Sequence, residues 1–133
     1  MLLVDTNVLV DILEDDPEWA DWSISQLRSQ SKVHRFIINP IIYSELSLTF
    51  SSVEALDQTV SDLGLSVFEI PRPALFLAGK AFTKYRRQGG NKNNVLDDFF
   101  IGAHAAVSGC HLLTRDVPRY QSYFPSVKLI APE

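Results

Sequence analysis

Short apolar runs of β-forming residues alternate along this chain with segments whose apolar residues recur at helical spacing. Leu2-Leu3-Val4 comes first, followed by Val8, Leu9, Ile12 and Leu13 on one helical face. Asp16-Pro17 predicts a helix start, with Asp as the cap and Pro in the first turn. Ala20, Ile24 and Leu27 then mark that helix's apolar face. Phe36-Ile37-Ile38 is the second strand, and Asn39-Pro40 opens a helix running to about Phe50. Ser51 with Glu54 reads as a capping box before Val53, Leu56, Val60 and Leu63, and Gly64 as the stop. Val67 to Ile70 is expected as the third strand. Ala74, Ala78, Ala81 and Tyr85 mark a helix ending at Gly89-Gly90, and a polar loop follows over Asn91 to Asn94. A helix from about Asp97 to Val107 leads to a fourth strand, His111 to Thr114. A fifth strand, Val127 to Ile130, follows a short helix carrying Tyr120, Tyr123 and Phe124.

This order reads as α/β with a largely parallel sheet. At 133 residues, 46% of them hydrophobic, the chain has material for one core and one domain. Parallel neighbours need right-handed crossovers, so the strands end on one edge. Ligands of open sheets bind outside those carboxyl ends, where strand order reverses.

Acidic residues concentrate where that edge is expected. Asp5 directly follows the first strand and Asp116 lies two residues after the fourth, while Asp97 and Asp98 open the helix that feeds the fourth. Glu45 lies in the helix after the second strand, in line with Ile41 and Leu48, and so in or beside an apolar stripe. If strands one, two and four are neighbours, these carboxylates meet. Each also has a purely structural reading. Asp5 could cap the next helix, Asp97 or Asp98 could partner a helix dipole, Asp116 could shape a turn, and Glu45 could snorkel to water.

Together the carboxylates repel one another, and a divalent cation removes that penalty. An all-oxygen set suits Mg²⁺ or Mn²⁺. Cys110 and three scattered histidines (His34, His104, His111) make no zinc cage, and His104 and His111 read as packing or surface residues. A metal-activated water would then attack a phosphodiester in line. Asp5 and Asp98 are the expected ligands, with Asp116 and Glu45 completing the set or orienting water. Thr6, Asn7 and Thr114 could support them by hydrogen bonds, or serve only local turns and caps.

A net charge of −4 argues against affinity for nucleic acid through overall charge. Lys80, Lys84, Arg86, Arg87 and Lys92 nevertheless form a basic stretch with no acid from Ala74 to Leu96. It reads either as a solvated helix face or as an RNA contact, and Arg115 joins Lys84, Arg86, Arg87 and Lys92 as a candidate RNA-binding residue. The single cysteine allows no internal disulfide and fits a reducing compartment. Leu2-Leu3-Val4 is too short for a signal-peptide core or a membrane span, so a soluble cytoplasmic protein is expected.

Four segments carry a resemblance. They are Val4-Asp5-Thr6-Asn7-Val8-Leu9, Ser44-Glu45-Leu46, Asp98-Phe99-Phe100-Ile101-Gly102-Ala103-His104-Ala105 and Leu112-Leu113-Thr114-Arg115-Asp116. In order and spacing they resemble the PIN-domain ribonucleases, and among them the VapC-type toxins of toxin–antitoxin pairs, over nearly the whole chain. The resemblance implies a single PIN-like domain over 1–133, a three-layer sandwich with a five-stranded, mostly parallel sheet flanked by helices. It implies a Mg²⁺- or Mn²⁺-dependent endoribonuclease, a homodimer and a cognate antitoxin laid over the catalytic groove. Asp5, Glu45, Asp98 and Asp116 match the family's acidic positions, and Thr6, Asn7 and Thr114 its polar neighbours. Asp97 is an additional acid with a metal, positioning or capping role. Trp19, Trp22 and Tyr43 are candidate antitoxin contacts or partly buried core. Two other readings stand beside this one. A non-catalytic RNA-binding module could share the fold. A phosphoacceptor receiver domain would want a different acid and lysine pattern after its third and fifth strands.

Overall fold

In the computed structural model, which describes residues 1–92 and 95–133, the strands are β1 (Leu2–Val4), β2 (Phe36–Ile38), β3 (Leu65–Val67), β4 (His111–Leu113) and β5 (Leu129–Ile130). The helices among the described residues are α1 (Thr6–Leu13), α2 (Ala20–Gln30), α3 (Pro40–Leu46), α4 (Val53–Asp62), α5 (Arg72–Arg87), α6 (Leu96–Ser108) and α7 (Pro118–Tyr123). The polar loop expected over Asn91 to Asn94 falls partly outside the described residues.

The sheet order is β3-β2-β1-β4-β5, and every pairing is parallel. β1 to β3 step one way across the sheet; the chain then returns past β1 to lay down β4 and β5. With right-handed crossovers, reversing the direction of travel puts the later helices on the opposite face. α1 packs on α2 and α3, α6 packs on α5 and α7, and α3 also meets α6. Both faces of the central strands are covered, so all residues of β1 and β2 are buried. The order reverses between β1 and β4, which places the ligand-binding crevice of this topology at their carboxyl ends.

Several boundaries depart from the sequence reading. The third strand is Leu65–Val67, two residues earlier than Val67 to Ile70. It starts directly after Gly64, whose φ of +72° ends α4, and its register is set by the three residues of β2 available to pair. β5 begins at Leu129, because β4 offers only Leu112 and Leu113 as partners. Asp16 does cap a turn, its Oδ1 accepting from the backbone of Glu18 and Trp19, but the helix itself begins at Ala20. Ser52, not Ser51, caps α4 by accepting from the Ala55 N–H at 3.1 Å. α3 stops at Leu46 and continues as a 3₁₀ turn, Ser47–Thr49. That turn leaves Leu48 86% exposed, so Glu45 flanks the buried pair Ile42 and Leu46 and shares no stripe with Leu48.

α6 carries Asp98 and packs against the segment after α7. A Cβ placed on Gly102 would meet the Phe124 ring at 2.3 Å, and Phe124 is itself buried. Gly102→Ala gains helix propensity of about 1 kcal/mol but forces this contact apart, and overpacking of this kind costs about 1–3 kcal/mol. The expected result is net destabilisation by about 1–2 kcal/mol in chemical denaturation; an unchanged or raised midpoint would refute the close packing.

Candidate active site

Three chain segments end at the β1–β4 crevice. Asp5 leaves β1 and opens α1, and its backbone N–H donates to Leu113 O at 2.9 Å, so it stands beside the end of β4. It does two things at once. Its Oδ1 accepts from the Thr6 N–H at 2.8 Å, as an N-terminal cap would. Its Oδ2 takes bonds from the Thr114 hydroxyl at 2.8 Å, the Tyr120 hydroxyl at 2.9 Å and, at 3.4 Å, the Asn7 amide. A carboxylate that is 4% exposed and held by four donors has a fixed direction.

Glu45 reaches the same place from α3. Its Oε1 accepts from the Thr6 hydroxyl at 2.5 Å. Asp98 comes from the first turn of α6, where Arg119 of α7 donates Nη1 to its Oδ2 at 2.6 Å. Asp5, Glu45 and Asp98, with Thr6, Asn7, Val10, Asp11 and Arg115, line one cavity of about 330 Å³. A larger depression of about 520 Å³ lies on the outer face of α2 among Asp21, Arg28 and Lys32, and carries none of the expected site residues.

The remaining expected residues sit around this cavity. Thr114 is buried, and its hydroxyl accepts from the Asp116 N–H at 3.0 Å and the Asn7 amide at 3.3 Å. Asp116 is exposed and adds its charge to the field at Asp5 and Asp98. Asp97 does not line the cavity; its charge acts on Glu45. Lys84, Arg86 and Arg87 occupy the last turn of α5, where cations also complement the helix dipole. They and Lys92 are exposed and outside the cavity. Their helix end is nonetheless tied to the site. Tyr123 OH donates to Gln88 Oε1 at 2.8 Å, and the Arg119 guanidinium lies 5.8 Å from the Tyr85 ring centroid. Arg115 is occupied inside the fold. Its Nε and Nη2 bind both oxygens of Asp11, at 2.6 and 2.9 Å, and its guanidinium lies 4.9 Å from the Trp19 ring. Trp19, Trp22 and Tyr43 are half-buried, and Tyr43 OH donates to Asp57 at 2.6 Å.

Four positioning groups escape the sequence reading. Tyr120 read as packing, yet it is buried with its hydroxyl on Asp5. Arg119 carried no local signal at all. Asn39 caps α3 and also donates to the buried His104, Nδ2 to Nδ1 at 3.1 Å, which links the helix of Glu45 to the helix of Asp98. Burial lowers the pKa of His104, which suits a neutral ring accepting this bond. Asp11 had a usable signal, since it interrupts an apolar run and is 3% exposed.

The electrostatics follow from removing these acids from water together. Burial pushes the Asp5 carboxyl up from its ordinary value, opposed by the bonds from Thr114 and Tyr120. Burial pushes Glu45 up to about 7, with Asp97, Asp5 and Asp98 adding repulsion. Burial and the charge of Asp5 push Asp98 to about 6, although Arg119 pulls the other way. Among the described residues no three histidine, cysteine or acidic side chains form a ready-made cage. Mg²⁺ does not need one, because it keeps several waters and binds through one or two carboxylates plus substrate phosphate. The donor set of hard oxygens, on carboxylates that repel one another, therefore fits Mg²⁺ or Mn²⁺.

These shifts have a sign. A carboxyl whose folded pKa is raised contributes stability that is complete below its unfolded pKa and lost as pH rises through the folded value. The contribution of Glu45 and Asp98 to metal-free stability is therefore expected to decline from about pH 4 to about pH 7. A cation that needs the ionised forms acts oppositely. The Mg²⁺-induced rise in melting temperature should be full near pH 8 and fade through about 7 and 6. A rise that is the same at pH 5.5 and pH 8 would detach metal binding from these groups.

A family model of the PIN domain matches residues 2–117. Solved structures share the fold over nearly their full length. VapBC2 from Rickettsia felis, bound to a DNA fragment from its promoter, is 21% identical with a TM-score of 0.72, covering 98% of this chain and 97% of that one. VapBC-1 from nontypeable Haemophilus influenzae is 18% identical with a TM-score of 0.73, over 98% and 96%. A toxin–antitoxin complex from Klebsiella pneumoniae is 19% identical with a TM-score of 0.67, over 100% and 98%. At these identities the likeness is one of fold. Among curated protein sequences none matches significantly.

Proposed function

The chain belongs to the PIN-domain family, and from that premise we propose that it is a Mg²⁺- or Mn²⁺-dependent endoribonuclease serving as the toxin of a toxin–antitoxin pair. The observation that carries this reading is the meeting of Asp5, Glu45 and Asp98 in one cavity at the β1–β4 crevice. A cavity of about 330 Å³ admits a phosphate and its neighbouring sugar rather than a large folded ligand, being at the lower end of small-molecule sites of about 300–1,000 Å³.

Asp5, Asp98 and Asp116 are the proposed metal-holding residues. The cation, when bound, supplies charge neutralisation at the phosphate and a water activated for in-line attack. The chain's own contributions are positional and acid–base. Thr114, Tyr120 and the Thr6 N–H fix the direction of Asp5. Glu45, raised to about 7 and steadied by Thr6, is placed to accept a proton near neutral pH, where a general base is most effective. Asn7 links the two sides of the crevice by accepting from the Arg115 N–H at 3.1 Å. Lys84, Arg86, Arg87 and Lys92 are proposed to meet the RNA backbone beyond the cavity.

The partner reading follows from the family and from the assemblies in which its structural neighbours occur, VapBC pairs and a toxin–antitoxin complex. A cognate antitoxin, a homodimer and a cytoplasmic location belong to the proposal. No described helix is long and apolar enough to cross a membrane.

The test is incubation of antitoxin-free protein with total cellular RNA, with and without Mg²⁺ or Mn²⁺. Discrete fragments that require the metal are expected. Intact RNA in either metal, with no metal-induced rise in melting temperature, would favour a non-catalytic RNA-binding domain.

A further inference from the structure

α7 delivers two neighbouring side chains to two different acids. Tyr120 donates to Asp5 and Arg119 to Asp98. The two bonds differ in kind. Tyr120 is fully buried and locked in place, whereas the Arg119–Asp98 pair is partly open, with the side chains 19% and 27% exposed. The pair is also single-pronged, Nη1 to Oδ2, where a guanidinium can offer two parallel bonds to a carboxylate. Arg115 makes the contrast within the same cavity wall. It spends its fork on both oxygens of Asp11, which is 3% exposed.

A partly open, single-pronged pair at the mouth of an acidic cavity is built to be exchanged. Such pairs contribute little net stability, because the partial loss of hydration offsets much of the attraction and the side chains give up freedom to hold the geometry. A second cation on Asp98 would repel the guanidinium and weaken the pair further. The freed group would stay at the crevice, because its stem is anchored on α7 and its head lies beside Tyr85. Guanidinium is the side chain best matched to a phosphodiester, planar and always charged.

We propose that Arg119 is an exchangeable counter-cation. It neutralises Asp98 in the metal-free protein, yields that carboxylate to the divalent ion, and then binds the RNA phosphate at the crevice. This rests on the nuclease reading above and adds to it a residue that faces both metal and substrate. Arg119, not Arg115, then supplies the arginine contact to RNA within the cavity.

The experiment compares wild type, Arg119→Gln and Arg119→Lys in two readouts. The first uses Mg²⁺ alone, titrated without RNA and followed by melting temperature or calorimetry. Removing the competing cation should tighten Mg²⁺ binding by Arg119→Gln about two- to five-fold, as expected from releasing a partly open pair. Arg119→Lys should stay near wild type. The second is steady-state cleavage of a single-stranded RNA oligonucleotide at saturating Mg²⁺. There Arg119→Gln should lower kcat/KM at least about ten-fold, as loss of a charge-assisted phosphate bond implies, and Arg119→Lys should recover part of it. Unchanged or weaker Mg²⁺ binding by a folded Arg119→Gln would overturn the proposal, since a purely structural arginine moves stability and not metal affinity in this direction. Unchanged kcat/KM would overturn its substrate half. If wild type binds Mg²⁺ yet cuts no RNA, the nuclease reading fails and the substrate half falls with it; the Mg²⁺ titration still decides the exchange itself.

Discussion

Asp98→Asn is expected to reduce metal-dependent RNA cleavage by more than about 100-fold, since even groups standing behind a metal ligand are worth 10–100-fold. Its effect on the metal-free fold should be opposite in sense. Asp98 is half-buried, faces the charges of Asp5 and Asp116, and has its pKa pushed to about 6. Above that pH the protein holds an unfavourable charge that asparagine does not carry, and the amide oxygen can still accept from Arg119. In a chelator at pH 8 the variant should therefore melt at or above the wild-type temperature. In Mg²⁺ the order should reverse, because only wild type gains the full metal-binding free energy. Cleavage at the wild-type rate would remove Asp98 from the proposed chemistry. A markedly lower melting temperature in chelator would show that the Arg119 pair outweighs the burial and repulsion.

Arg115→Ala should be strongly destabilising. Asp11 is 3% exposed and would lose both bonds from the guanidinium, retaining only the Ser23 hydroxyl at 3.1 Å. Leaving a buried carboxylate without its cation costs about 3–5 kcal/mol, and the surviving bond argues for the lower end, about 3 kcal/mol. For a domain of this size that is a fall of roughly 10 °C in melting temperature. Asp11→Ala should cost less, about 1.5 kcal/mol, because Arg115 is 26% exposed in its side chain and can turn to water. The loss should reach function as well. The Arg115 N–H is bonded to Asn7, and its neighbours Thr114 and Asp116 flank the crevice, so cleavage should fall even though no proposed metal-holding residue is altered. Equal, small effects from the two alanine variants would refute the asymmetry and return Arg115 to the solvent-facing RNA role that its charge first suggested.

Much of this architecture was written locally. The strands Leu2–Val4, Phe36–Ile38 and His111–Leu113, the cap at Asn39 and the stop at Gly64 all announce themselves through neighbours a few residues away. Residue type and spacing alone bias the backbone there. Even the acids were legible, because Asp5, Glu45 and Asp98 each sit at a position that a parallel sheet delivers to one edge. The misplacements were of another kind. β3 began two residues early and β5 two residues late because a strand extends only as far as its partner offers hydrogen bonds. Leu48 falls outside the helical stripe that its spacing suggests, because α3 ends at Leu46 and nothing in the local sequence marks the change to a 3₁₀ turn.

What the residues determined without help was therefore the element types, their order, and the carboxylates that reach the crevice. The tertiary structure decided which groups hold those carboxylates. Tyr120 reaches Asp5 across 115 residues, Arg115 reaches Asp11 across 104, and Arg119 reaches Asp98 across 21. None of these spacings is a helical or strand period, so no local rule links the partners. They meet because β4 crosses back to lie beside β1, and that placement is settled by burying both faces of the sheet at once.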